Sequence, residues 1–67
     1  MDIDEIVNLF EYSPNENHKF SNSELYTIFD ELNPSCTYIK IKRELKKLGC
    51  EDYRTNDERG LKCIKLK

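Results

Sequence analysis

Long apolar runs, glycine-rich phosphate loops and paired cysteines are all missing from this chain. No stretch approaches the roughly 18 apolar residues that cross a bilayer, so no membrane partner is expected. There is no Walker A loop, so ATP chemistry is not expected from these residues. Cys36, Cys50 and Cys63 are an odd number without paired spacing. That argues against a secreted disulfide scaffold and for an intracellular, reducing compartment. No C-x₂-C knuckle is present, and His18, the single histidine, falls in a polar loop; neither a metal site nor a cofactor is expected. With one histidine and scattered thiols, no nucleophile–base spacing or paired-acid arrangement stands out, so no catalytic residue is assigned and the domain is not read as an enzyme. The N-terminal MDIDEIVNLF is acidic and lacks the basic flank of a signal peptide.

What is there is a short, polar, patterned chain. At 67 residues it holds one small core and no room for a substrate pocket with its supporting shell, so residues 1–67 are expected to form a single domain. Hydrophobic residues make up 37% and are too regularly placed for disorder. The net charge of −2 conceals an asymmetry. Residues 1–35 carry eight acids and one base, Lys19, whereas residues 36–67 carry ten bases and five acids.

Periodicity then sets the expected elements. Ile3, Ile6, Val7 and Phe10 recur at i, i+3, i+4 and i+7, which predicts a first helix over about 2–12 with Asp2 as its cap. Ser13-Pro14-Asn15-Glu16-Asn17 is turn chemistry. Ser21-Asn22-Ser23-Glu24 is a capping box, and Leu25, Ile28, Phe29 and Leu32 continue the stripe, so a second helix is expected over about 22–32. Asn33-Pro34 stops it. Phe20 suits either a staple onto that helix or a short strand. A third helix is expected over about 36–48, capped by Ser35 and closed by Gly49 in a left-handed conformation. Residues 50–66 then read as a hairpin, with strands over 50–55 and 61–66 around the turn Asn56-Asp57-Glu58-Arg59-Gly60. The expected fold is therefore α+β, mainly α: a winged helix-turn-helix, three helices followed by a two-stranded β-hairpin wing.

The third helix carries the functional signal. At about 100° per residue, Tyr38, Ile41, Leu45 and Leu48 share one side. Lys40, Arg43, Lys46 and Lys47 lie opposite, with Ile39 among them and Lys42 on the flank. A cationic helix face of this kind neutralises phosphates and fits a duplex major groove. Arg43 is the candidate for a guanine edge, and Lys40, Lys42, Lys46 and Lys47 for phosphates. Ile39 either meets a thymine methyl or is covered by a neighbouring loop. Thr37 at the helix start, with Arg54, Arg59 and Lys62 around the hairpin, completes the expected DNA-binding set. The bland alternative is a solvated lysine face near a helix C-terminus.

The runs SELYTIFDELN and IKIKRELKKLG, followed by an arginine-bearing hairpin ending RGLKCIKLK, resemble the C-terminal winged-helix domain of primase-helicases. These enzymes occur in phage, plasmids and large DNA viruses, the poxvirus type included. Ser23, Leu25 and Tyr26 fit the first motif. Ile41, Arg43, Glu44, Leu45, Lys46, Lys47, Leu48 and Gly49 fit the second, and Arg54, Gly60, Ile64 and Leu66 the last. The likeness covers residues 21–67, with Leu61 standing where the family often has an aromatic residue at the wing tip. It implies a DNA-contacting accessory domain of a replicative primase-helicase, partnered by the remainder of that chain. Two rival readings are a free-standing dimeric transcription regulator, and a winged helix that binds protein through its acidic helices.

Overall fold

The computed structural model describes residues 1–67, and the second helix is where sequence and structure agree most closely. This helix (Asn22–Leu32; α2, counting in chain order) begins at Ser21, whose Oγ accepts from the Glu24 amide at 3.2 Å while the Glu24 carboxylate accepts from the Ser21 amide at 3.3 Å. That is the reciprocal capping box. Leu25 and Phe29 are buried and Ile28 and Leu32 half-buried. Asn33, at φ 50°, ends the helix in the left-handed region that asparagine tolerates. Replacing Ser21 with Ala removes the half of the box made by its hydroxyl, while the backbone amide at position 21 can still donate to Glu24. We expect a loss of about 1 kcal/mol, read as a lowered denaturant midpoint with an unchanged slope.

The first helix, α1, is much shorter than the stripe predicts. It spans Ile3–Val7, and Phe10–Tyr12 is a strand, β1. Its apolar positions are the expected ones, with Ile6 and Phe10 buried. Phe10 reaches the core from an extended backbone because β1 pairs antiparallel with the C-terminal strand, Phe10 opposite Leu66 and Tyr12 opposite Ile64. Backbone pairing with a segment more than 50 residues away overrides a local helical period.

The third helix, α3, spans Tyr38–Lys46 rather than 36–48. Its cap is Thr37, not Ser35: the Thr37 hydroxyl accepts from the Lys40 amide at 3.3 Å. The Ser35 hydroxyl instead donates to the Met1 carbonyl at 3.3 Å. Gly49 does take a positive φ, 115°.

The greatest departure is in the second half of the chain and in the fold class. The expected mainly-α winged helix-turn-helix with a two-stranded hairpin is not what forms. Strand makes up 25% of the chain beside 37% helix, in five strands and two antiparallel sheets. Lys19–Ser21 is β2, Glu51–Arg54 is β3, Arg59–Lys62 is β4 and Ile64–Leu66 is β5. One sheet has the order β2-β4-β3 and the other is β1-β5. The fold is therefore a small α+β arrangement whose N-terminal third supplies a strand to each sheet.

Cys63 explains the division. Its φ of 63° places an L-residue in the left-handed region, which costs about 1–2 kcal/mol. The residue divides the segment expected as one strand over 61–66. In a continuous strand Leu61 and Ile64 would face opposite sides, since side chains alternate. The kink resets the phase, and both are fully buried. The Cys63 carbonyl accepts from the Ser13 amide at 2.9 Å and the Ile64 amide donates to the His18 carbonyl at 3.1 Å. Both bonds tie the crossing to the β1–β2 loop.

The core is one cluster: Ile6, Phe10, Leu25, Phe29, Ile41, Leu45, Cys50, Leu61 and Ile64. Phe20, half-buried on β2, meets the Phe10 ring edge-on at 5.9 Å. No helix is long and apolar enough to cross a membrane.

Candidate nucleic-acid interface

The inward side of α3 is set by Ile41 and Leu45, both fully buried. Everything on its opposite side must therefore face solvent. Ile39 is 66% exposed, which excludes its being covered by a loop. Thr37, Ile39, Lys40, Arg43 and Lys47 surround one shallow surface depression together with Glu44. The helix thus presents the face that its sequence pattern implies.

The cations on it are not equivalent. Lys46 Nζ lies 2.6 Å from Asp52 Oδ2 on β3, and Lys47 Nζ lies 3.0 Å from Glu44 Oε1 one turn back. Lys40 and Arg43 are exposed and make no ion pair. The acids of α1 and α2 take no part in any of these pairs; α3 is partnered only by Glu44 and Asp52. Exposed pairs of this kind are worth about 0–1 kcal/mol, so a polyanion displaces them cheaply.

Lys42 is turned away from that face. It is half-buried between the helices, its ammonium donating to Asn22 Oδ1 at 2.9 Å and lying 5.9 Å from the Tyr26 ring centroid. Arg54 and Arg59 are directly opposite one another in the β3–β4 ladder, both exposed and without ion pairs. Directly opposed residues share a sheet face, and residues two apart along a strand do too. Arg54 and Arg59 therefore lie on the face of Leu61 and Asp52, the side turned toward the helices. They share an open polar cleft with Asn22 and Lys42.

Lys62 falls on the other sheet face, opposite Glu51 and Lys19. Its ammonium is held by Glu16 at 3.1 Å and Glu51 at 3.8 Å. The hydrogen bond and charge of Glu16 push its pKa above the usual lysine value. It is not brought together with the arginines. On the same face Lys19 Nζ lies 5.1 Å from the Tyr53 ring centroid. The Tyr53 hydroxyl is raised in pKa by desolvation and by its 3.0 Å hydrogen bond to Glu58. Burial likewise raises the Cys50 thiol, which donates to the Leu45 carbonyl at 3.1 Å.

The expected residues thus divide into two basic surfaces: the outer face of α3, and a cleft formed by Lys42, Arg54 and Arg59. Asn22 lines the second and Tyr26 borders it through the Lys42 ammonium, and neither was singled out from sequence as a contact residue. Their one signal is a four-residue spacing off the apolar stripe of α2, which places them on one helix ridge. Against known proteins, no family model, curated sequence or solved structure matches this chain.

Proposed function

We propose that this domain binds nucleic acid, DNA in the first instance, through the outer face of α3 together with the arginine-bearing end of β3 and β4. The observation that carries the reading is selective pairing. Lys46, Lys47, Lys62 and Lys65 have carboxylate partners and Lys19, Lys40, Lys42 and Lys67 do not, whereas all three arginines, Arg43, Arg54 and Arg59, are exposed and have none. Arginine is the side chain that meets phosphates and guanine edges bidentately. On an acidic protein, leaving each arginine uncompensated has a physical reason if a polyanion supplies the counter-charge. Ile39 gives the same face an apolar contact suited to a thymine methyl. The sequence likeness to primase-helicase C-terminal domains would make this an accessory DNA contact on an ATP-driven replicative enzyme, although the winged helix that the likeness implied is not the fold that forms.

A salt titration tests this. Duplex binding is expected to be micromolar or weaker, with log K falling against log salt at a slope of about −0.9 per phosphate engaged. Amide resonances of α3 should move on titration at low salt. Unmoved α3 amides would leave the protein-binding reading, through the acidic helices, in its place.

A further inference from the structure

Resting on the nucleic-acid reading, we propose that the cleft between α2, α3 and the β3–β4 ladder takes an unpaired strand, with a phosphate at Lys42, Arg54 and Arg59 and a base stacked on Tyr26.

Two features meet at Lys42, one inside the cleft and one at its border. The first is electrostatic. Like charges directly opposite in an antiparallel ladder destabilise it, and Arg54 and Arg59 occupy such a pair with no carboxylate against either. Lys42 adds a third cation to the cleft, held by the neutral amide of Asn22 and the Tyr26 ring with no carboxylate partner. Asp52 lines the same cleft, but its carboxylate is occupied by Lys46 at 2.6 Å. Asp57 and Glu58 line the adjoining depression with both arginines, yet neither forms an ion pair with them.

The second feature is aromatic. Tyr26 is 36% exposed, one helical turn beyond Asn22, and its ring is backed by Tyr38 at 5.3 Å and a tilt of 31°. A ring packed beside another ring is restrained as a platform. Lys42 links the platform to the cations, since the same ammonium reaches both Asn22 and the Tyr26 ring. When a strand enters, the ammonium exchanges an amide for a phosphate and uncovers the ring for a base. Cationic grooves with stacking aromatics hold single strands irrespective of sequence. A duplex keeps its bases stacked inside, so it cannot use Tyr26. The two surfaces then engage different parts of a fork: α3 the paired arm, the cleft the unpaired one.

The test compares a short thymidine strand with an abasic strand of the same length, which keeps the phosphates and lacks the bases. A deoxyuridine and a uridine strand run beside them differ only at the 2′ position, and preference between those two assigns DNA or RNA. The protein is expected to bind the thymidine strand roughly tenfold or more tighter than the abasic one. Tyr26→Leu should erase that ratio, and Lys42→Gln should weaken both strands in proportion. A second measurement needs no variant: the Tyr26 ring protons should shift upfield with the thymidine strand and stay in place with the abasic one. Equal binding of the two strands by the unaltered protein, or a ratio that survives Tyr26→Leu, overturns the proposal. If α3 charge reversal still abolishes duplex binding in that case, only the cleft is lost. If the unaltered protein binds neither duplex nor strand, the nucleic-acid reading falls with it.

Discussion

The Lys40→Glu/Arg43→Glu double variant should bind duplex DNA at least about 100-fold more weakly than the unaltered protein, with a salt slope shallower by about 2. Its melting temperature should be nearly unchanged. Both residues are exposed and unpaired, so no contact within the fold is lost, and substitutions at such positions fall within about 0.5 kcal/mol. Position 40 lies in the first turn of α3, where a carboxylate is favoured by the helix dipole. Lys47 is the poorer choice because its loss also strands Glu44. Lys65→Gln is the control, since that lysine is on β5 and already paired with Glu11 at 3.3 Å. Fluorescence anisotropy on a labelled duplex reads the binding, and far-UV circular dichroism the fold. Full retention of affinity in the double variant would remove α3 from the interface.

Gly60→Ala should be the most destabilising single-methyl addition in the chain. Gly60 sits in β4 opposite Ser21 of β2. A Cβ built there would meet the Phe20 carbonyl oxygen at 1.9 Å, and Ser21 Cα and Tyr53 Cε1 each at 2.8 Å. The first two are backbone, so the strands must part. A chain of this length has only about 3–10 kcal/mol in total. Losing β2 from the sheet is expected to remove about 3 kcal/mol and lower the melting temperature by about 15 °C. Unfolding by urea would measure it. Gly49→Ala is the comparison. It meets only the side chain of Tyr12, at 3.1 Å, although its φ of 115° adds strain of its own. A Gly60→Ala protein as stable as the unaltered one would mean that β2 and β4 are not packed this closely.

Gly60 also shows what a one-dimensional reading misses. Next to Arg59, after Asn56-Asp57-Glu58, it reads as the last residue of a turn. In the folded chain it is a strand residue, and its missing side chain is the space that the Phe20 carbonyl fills. Nothing within a few residues of Gly60 encodes that approach. Cys63 is a similar case: it reads as one alternating position in a strand, yet it is the kink that puts Leu61 and Ile64 on the same side.

Local chemistry alone determined α2, its capping box, the inward stripe of α3 and the cationic character of the outer face, because caps and 3.6-residue periods act within one or two turns. Long-range pairing alone decided the rest. β1 exists because β5 returns to it, and β2 because β4 does. Lys42 is turned from the α3 face into the cleft, and Lys62 is set apart from the arginines, because of what the fold places beside them, Asn22 and Tyr26 for one and Glu16 for the other. Strand partners and counter-ions come from residues distant in sequence, so they are settled only when the chain closes on itself.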